Sequence, residues 1–144
     1  MGCYYSFLYK NYNFDNTPTW SLKGKKIKVK VLKVYDGDTI WIALKLKGKI
    51  YKLKIRLYGI DTPEMKPPKN QVDRDKEIAE AKKSKTFLSD LVLNKIITIK
   101  CGDWDKYGRL LATLYINNYC SNIDVNKLMI EKGLAKEYFG GTKN

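Results

Sequence analysis

Hydrophobic and polar residues alternate along three stretches in the first half of the chain. Apolar residues occupy every second position in 27–31, 40–46 and 51–57, and basic residues fill the alternate positions of the first and third stretches. A period of two is typical of strands with one buried face. Asp36-Gly37 and Lys47-Gly48-Lys49, which separate the stretches, are turn sequences. The pattern predicts three consecutive strands joined by tight turns.

After a proline-containing loop the period becomes that of an amphipathic helix, from about Asp73 to Leu93. Two further strands are predicted at Ile96–Ile99 and Leu110–Ile116, and a second helix begins near Asp124 and ends at Gly133. The order of three strands, helix, two strands and helix is compatible with an OB-fold, a five-stranded barrel. We therefore predict a mainly β, α+β fold of this type, with one helix after the third strand and one C-terminal helix.

The first 24 residues differ from the remainder of the chain. They are rich in Tyr, Asn, Phe and Thr and show no sustained periodicity, so the sequence predicts no regular element there. Residues 25–144 contain all the predicted strands and helices. With 144 residues in total, the chain has the length of one domain, and we interpret it as an N-terminal extension, 1–24, followed by the barrel domain, 25–144.

Charge narrows the possible partners. The formal net charge is +13 and the sequence pI about 9.6, a balance that favours a polyanionic partner, either nucleic acid or an anionic membrane. The chain has no histidine, and its three cysteines lack metal-ligand spacing. Chemistry near neutral pH must therefore depend on carboxylates, arginines and a hard metal ion rather than on imidazole or zinc.

The predicted strand ends bring two carboxylates together. Asp38 begins the second strand and Asp61 follows the third, so both lie at neighbouring strand ends. Adjacent carboxylates repel unless a cation lies between them. Oxygen ligands suit Ca²⁺ or Mg²⁺, and the main-chain carbonyl of Thr62, fixed by the following Pro63, is a plausible third ligand. We interpret Asp38, Asp61 and Thr62 as a metal site that the sequence alone does not assign to either ion.

Further charged residues complete a possible catalytic site. Glu64 is placed to accept a proton from a metal-bound water that attacks phosphorus, and Arg56 and Arg109 are suited to hold the phosphate. Lys106 and Tyr107 share a turn with Arg109, where they fit a terminal phosphate and a stacked base or sugar. The competing interpretation is structural, with aspartates that shape turns and arginines in surface ion pairs. The OB-fold favours the functional one, because its binding loops are those that contain Asp38 and Arg109.

The N-terminus suggests a different property. Met1-Gly2-Cys3-Tyr4-Tyr5-Ser6 fits the N-myristoylation pattern at Gly2, with Cys3 beside it for palmitoylation. The lysine-rich surface would then serve as the second signal for a membrane anchor. No apolar run is long enough to span a bilayer, and the pattern of a secretory signal is missing. We expect an intracellular protein, with membrane anchoring through Gly2 and Cys3 left open.

Four strings resemble the staphylococcal nuclease (thermonuclease) family. They are DGDT at 36–39, IRLYGIDTPE at 55–64, DKYGRLLA at 105–112 and KLMIEKGLAK at 127–136. The resemblance implies an OB-fold and Ca²⁺-dependent hydrolysis of DNA and RNA that leaves 3′-phosphate ends. By position it implies calcium ligands at Asp38, Asp61 and Thr62, a general base at Glu64, and phosphate contacts from Arg56, Arg109, Lys106 and Tyr107. A tyrosine that the family places near the nucleotide ring falls at Phe139, which lacks the hydroxyl group.

The sequence therefore predicts a calcium-dependent endonuclease with little sequence preference, acting on DNA or RNA and preferring single strands. The alternative is a non-catalytic OB-fold module that binds nucleic acid, and a lipid anchor is compatible with either. A monomer is the default expectation.

Overall fold

The computed structural model describes residues 2–140. Its helices are α1 (Gly2–Tyr9), α2 (Arg74–Val92) and α3 (Val125–Glu131). Its strands are β1 (Lys26–Asp36), β2 (Thr39–Leu46), β3 (Lys49–Leu57), β4 (Ile60–Asp61), β5 (Ile96–Trp104), β6 (Leu110–Asn118), β7 (Ser121–Asp124) and β8 (Lys136–Glu137).

Five strands form a closed barrel in the order β3-β2-β1-β5-β6, and a parallel pairing of β3 with β6 closes it. All other barrel pairings are antiparallel. The predicted OB-fold class is thereby confirmed. β7 extends the sheet beside β6, while β4 and β8 form a separate two-stranded ladder. Sequence periodicity gave no indication of these three short strands.

The alternating apolar residues of the strands point into the barrel. Their side chains are almost completely buried at Val31, Ile42, Ile55, Ile99 and Leu114. The lysines between them on β1 are exposed, as the period of two requires. Burial of one such aliphatic side chain contributes about 1.5–3 kcal/mol, so this core is the main source of the barrel's stability.

Helix α2 closes one end of the barrel. Its buried positions, Ala81, Ser84, Leu88 and Val92, recur at helical spacing, and Leu88 and Val92 belong to the barrel core. The predicted helix from about Asp73 to Leu93 is confirmed. The Ser84 hydroxyl donates a 2.7 Å hydrogen bond to the carbonyl oxygen of Leu134, which ties α2 to the segment after α3.

Helix α3 begins as the sequence predicts, because the Asp124 side chain accepts a hydrogen bond of 2.9 Å from the main-chain N–H of Lys127. Its buried Asn126 links two barrel strands. The Asn126 Oδ1 accepts from the N–H of Leu114 at 3.0 Å, and Nδ2 donates to the carbonyl oxygens of Tyr58 at 2.9 Å and Ala112 at 3.1 Å. One side chain therefore joins the end of β3 to β6, where the barrel closes.

The N-terminal extension contains a helix, α1, so the expectation of no regular element there was wrong. All the residues of α1 are exposed, including Gly2 and Cys3, whose acylation stays a prediction.

The end of the extension contacts the barrel: Leu22 is 3% exposed and lies in the core, and Lys23 forms a 2.8 Å ion pair with Asp103. The boundary at residue 24 stays a prediction. Among the described residues, no helix combines the length and apolarity needed to cross a membrane.

We expect Asn126→Ala to lower the free energy of unfolding by about 2–3 kcal/mol, because it leaves buried main-chain groups of both strands without partners. Urea denaturation followed by circular dichroism measures this loss. Asn117→Ala is the matched control, since Asn117 is exposed and donates only to the Thr98 hydroxyl. Equal midpoints for the two variants would contradict the role of Asn126 in barrel closure.

Candidate active site

The turn between β1 and β2 is buried against α2. A Cβ atom at Gly37 would lie 2.8 Å from Ser84 Cβ and 2.9 Å from Thr62 Cγ2. Side chains do not approach so closely, so any other residue would displace the turn or its neighbours. The N–H of Asp38 donates a 3.2 Å hydrogen bond to Asp36 Oδ1, as expected for an aspartate that shapes a turn. Gly37 thus lets the turn pack against Ser84 and Thr62, and Asp38 lies beside Thr62.

Both carboxylate oxygens of Asp38 accept hydrogen bonds inside the protein. Asp38 is 7% exposed. Oδ1 accepts from the Thr39 hydroxyl at 3.0 Å, and Oδ2 accepts from the N–H and the hydroxyl of Thr62 at 3.1 and 2.9 Å. Burial of a carboxylate is unfavourable without such donors. The hydrogen bonds hold Asp38 in one orientation next to Thr62, its predicted partner in the metal site.

Arg56 lies between the two predicted metal-ligating carboxylates. Its Nη1 is 2.9 Å from Asp38 Oδ2, and its Nη2 donates a 3.1 Å hydrogen bond to Asp61 Oδ1. The Nη1 contact is an ion pair rather than an aligned hydrogen bond, because no acceptor satisfies the hydrogen-bond geometry at that buried atom. The guanidinium group therefore neutralises both carboxylates and still has donor capacity, which suits a phosphate oxygen.

The cluster has more carboxylates than its arginine can neutralise. Arg56 pairs with Asp38 and Asp61, while the third carboxylate, that of Asp36, accepts a hydrogen bond from the N–H of Asp38. Burial, together with the neighbouring negative charge of Asp38, raises the pKa of Asp36 to about 6. A surplus of negative charge is the electrostatic condition for binding a cation.

The donors of this cluster fit a hard divalent cation with few protein ligands. Two carboxylates and the main chain at Thr62 supply only oxygen atoms, which suit Ca²⁺ or Mg²⁺. Within residues 2–140, no group of three or more Asp, Glu, Cys or His side chains is arranged to hold a metal ion.

Glu64 lies on the segment that follows β4, and its side chain is exposed. The main-chain N–H of Glu64 donates a 3.0 Å hydrogen bond to Glu77 Oε1 on α2. Gln71 also donates to the Glu77 carboxylate. The backbone at Glu64 is thus held by the first turn of α2 and by Pro63, while the carboxylate faces solvent two residues from Thr62.

Asp105 organises the loop between β5 and β6. Its Oδ1 accepts from the N–H groups of Tyr107 and Arg109, both at 2.9 Å, and its Oδ2 accepts from Arg109 Nε at 2.6 Å. Burial alone would raise the pKa of Asp105, but these hydrogen bonds outweigh it and the pKa is lowered. Gly108, at φ 75°, supplies the left-handed turn between them. The guanidinium group of Arg109 is consequently fixed through its Nε.

The barrel closure places Arg109 near Arg56. Arg56 on β3 pairs with Leu111 on β6 in the parallel ladder. Arg109 directly precedes the first residue of β6 and is two residues before Leu111. The two arginines predicted to hold one phosphate therefore both lie close to the pairing of β3 with β6.

Lys106 and Tyr107 lie in the same loop as Arg109. Lys106 Nζ is 5.1 Å and Arg109 Cζ is 5.4 Å from the centroid of the Tyr107 ring, which is 71% exposed. An exposed ring between two cations can contact a sugar or base beside a phosphate. Phe139, in contrast, packs edge-on against Tyr58, with ring centroids 5.6 Å apart.

Sequence reasoning missed three residues that position the site. Asp105 was not predicted to hold Arg109, although an aspartate in a loop commonly accepts a hydrogen bond from the N–H two residues on, here that of Tyr107. Gly37 was predicted only as a turn residue, whereas the close approach of Ser84 and Thr62 also leaves no space for a side chain there. Asn126 carries no signal in one sequence, because it occupies an ordinary helix position. Gly2 and Cys3, by contrast, lie on α1 and take no part in the contacts of this site.

Comparison with known proteins finds a matching family and several related sequences. The family model described as staphylococcal nuclease homologue matches residues 54–144. An uncharacterized protein of Methanocaldococcus jannaschii, MJ1439, is 34% identical over 124 residues, which cover 76% of this chain and 58% of that protein.

Two bacterial relatives are described as uncharacterized endonucleases. The one from Escherichia coli O157:H7 is 29% identical over 120 residues, which cover 83% of this chain and 67% of the relative. The one from Haemophilus influenzae is 33% identical over 114 residues, which cover 79% of this chain and 54% of the relative. The chain thus spans between about half and two thirds of the length of these curated relatives.

We expect Arg56→Met to lower the free energy of unfolding by about 3 kcal/mol at neutral pH in metal-free buffer, because it leaves two partly buried carboxylates without their counter-charge. Chemical denaturation measures the effect. Arg74→Met is the control, since Arg74 Nε donates only a long hydrogen bond of 3.4 Å, to the Pro67 carbonyl oxygen. Equal stability of the two variants would show that Arg56 is not the counter-charge of the cluster.

Proposed function

Because this chain belongs to the staphylococcal nuclease family, we propose that it is a phosphodiesterase, an endonuclease that cleaves DNA or RNA with little sequence preference. The family match confirms the resemblance seen in the sequence and supports a nuclease-like function. We infer further that the enzyme requires Ca²⁺, prefers single strands and leaves 3′-phosphate and 5′-hydroxyl ends. These finer properties are predictions for this chain.

The observation that carries the proposal is the placement of Arg56. One guanidinium group contacts both Asp38 and Asp61, and Arg109 directly precedes β6, the strand that pairs with β3. A site that holds carboxylates and two arginines together combines sites for a cation and for an anion. A phosphodiester with its divalent counterion is a substrate that needs both.

Asp38, Asp61 and the main-chain carbonyl of Thr62 are the residues that would hold Ca²⁺. Bound there, the ion would supply positive charge to the phosphate and lower the pKa of a coordinated water. The hydrogen bonds from Thr39 and Thr62 keep Asp38 oriented for this role. Mg²⁺ fits the same oxygen donors, and the binding experiment below compares the two ions.

Glu64 is proposed as the general base. Its main chain, two residues from Thr62, is anchored through Glu77, which supports a role for the exposed carboxylate in accepting a proton from the attacking water. The attack on phosphorus breaks the bond to the 5′ oxygen, which leaves the phosphate on the 3′ side.

Arg56 and Arg109 would stabilise the negative charge that grows on the phosphate oxygens. Both remain charged throughout, and each can donate two hydrogen bonds to one phosphate. The hold of Asp105 on Arg109 Nε leaves the Nη atoms of Arg109 for this purpose. Lys106 and Tyr107, in the same loop, would contact the adjoining phosphate and nucleoside.

We expect Glu64→Gln and Arg109→Lys each to lower kcat/KM for single-stranded DNA by about 10²-fold or more, because each removes a group that acts in the transition state. Cleavage of labelled DNA and RNA oligonucleotides, with Ca²⁺ and with chelator, measures the loss. Circular dichroism establishes that both variants are folded.

Glu131→Gln and Arg74→Lys are matched controls outside the site. Glu131 is exposed and pairs only loosely with Lys127, at 3.9 Å. Near-normal turnover of the Glu64 or Arg109 variant would refute the assignment of these residues. Binding of nucleic acid by the wild type without cleavage under any metal would instead indicate a non-catalytic OB-fold module.

We expect Ca²⁺ to raise the melting temperature of the wild-type protein and to leave that of Asp61→Asn almost unchanged. A ligand at one hundred times its dissociation constant stabilises the folded state by about 2.7 kcal/mol. Asp90→Asn, an exposed change on α2, should retain the wild-type response to Ca²⁺. A Ca²⁺ response in Asp61→Asn equal to that of the wild type would place the metal elsewhere, and a parallel titration with Mg²⁺ compares the ions.

A further inference from the structure

The outer surface of β1, β2 and β3 carries lysines and aromatic residues that the proposed catalysis does not use. The residues concerned, here named the outer-face rows, are Lys33, Trp41 and Lys54 in one row and Lys30, Ala43 and Lys52 in the next. They belong to positions that alternate with the buried barrel core, so their side chains project away from the barrel.

The outer-face rows continue directly from the candidate active site. In the strand register, Asp36, Thr39 and Arg56 form one cross-strand row, and the row of Trp41 and Lys54 comes next on the same face. Successive rows on one face are about 7 Å apart. This interval is comparable with the spacing of successive phosphates in an extended nucleic-acid strand.

Lysine and aromatic groups are interleaved at the first of these rows. Lys54 Nζ lies 4.6 Å from the centroid of the Tyr35 ring and 5.6 Å from that of Trp41, and Lys52 Nζ lies 5.2 Å from that of Trp41. The Tyr35 ring is 53% exposed. An exposed cation–π contact is weaker than the stacking of a base on an aromatic ring, so a base can displace a lysine that then moves to a phosphate.

The charge of this surface has one sign. Between Lys26 and Leu57 the only acidic residues are Asp36 and Asp38, both at the end that belongs to the candidate active site. The lysines of the rows therefore have no carboxylate on β1, β2 or β3 to compete with a bound phosphate. A basic surface with aromatic rings between its charges complements single-stranded nucleic acid, which offers both phosphates and unpaired bases.

We propose that the outer-face rows bind the part of a single-stranded nucleic acid that extends beyond the scissile phosphate. Lys52 and Lys54 contact phosphates, and Trp41 and Tyr35 stack on bases. The inference rests on the proposed function for the identity of the strand. Binding to the outer-face rows is measured without cleavage. A failure of the binding proposal can therefore be distinguished from a failure of the proposed nuclease function.

Fluorescence anisotropy of labelled oligothymidylates of increasing length, in chelator, tests the proposal. Gel analysis of the same samples establishes that the oligonucleotides stay intact. For wild type we expect the affinity to rise more than tenfold between three and nine nucleotides. Lys52→Gln/Lys54→Gln should lose about tenfold in affinity for the nonamer, with a smaller loss for the trimer. The slope of log K against log salt should fall by about 1.4, because two phosphate contacts are removed.

Lys82→Gln/Lys83→Gln is the matched control, since it removes the same charge from exposed positions on α2. It should bind the nonamer within twofold of wild type. Trp41→Ala should lose about tenfold in affinity for the nonamer and Trp41→Phe less than threefold, because phenylalanine retains a stacking surface. Thermal melts of all variants check folding, and the surface lysine variants test the proposal even if Trp41→Ala does not fold.

Several outcomes would overturn the proposal. They are a wild-type affinity that does not grow beyond three nucleotides, a loss in the α2 control equal to that of Lys52→Gln/Lys54→Gln, or an affinity for a nine-base-pair duplex equal to that for the single strand. Binding to phosphatidylserine vesicles that depends on Lys52 and Lys54, without any length-dependent oligonucleotide binding, would assign the surface to membranes instead. Length-dependent binding that is lost in Lys52→Gln/Lys54→Gln supports nucleic-acid binding by the outer-face rows, even if no cleavage is found.

Discussion

The contact of Arg56 with Asp38 and Asp61 is the interaction on which the site depends. It holds one carboxylate from the β1–β2 turn and one from β4 around a single guanidinium group that is largely withdrawn from solvent. Removal of one partner would leave uncompensated charge, which is strongly unfavourable at a buried position. The same contact gives the site its dual character, because a surplus of carboxylates attracts a cation while the guanidinium group attracts an anion.

The barrel supplies the precision that this arrangement needs. Parallel pairing of β3 with β6 fixes Arg56 beside the strand that follows Arg109, and Asn126 secures that closure with three hydrogen bonds. Gly37 lets the aspartate-bearing turn approach α2 more closely than a side chain allows. The site therefore lies where rigid strands end and short loops begin, which favours fixed charges over mobile ones.

Most of the fold was predictable because the barrel strands bury one face and the long helix buries one stripe, and both leave a period in the sequence. The helix in the N-terminal extension was not predictable. Because α1 buries none of its residues, its sequence shows no hydrophobic periodicity. Composition and motifs could suggest the residues of the site but not their contacts. The partners of Arg56 come from segments that are separate in sequence, and which carboxylate meets which nitrogen depends on strand register. The role of Asn126 likewise arises only from tertiary packing.

The central claim is that this cluster hydrolyses phosphodiester bonds on the 5′-oxygen side. The most direct measurement is the end chemistry of the products formed from a 5′-labelled single-stranded oligonucleotide in Ca²⁺. The account predicts fragments that end in a 3′-phosphate, which shift in mobility on phosphatase treatment and do not serve as polymerase primers before it. Fragments that end in a 3′-hydroxyl, or an oligonucleotide that stays intact, would contradict it.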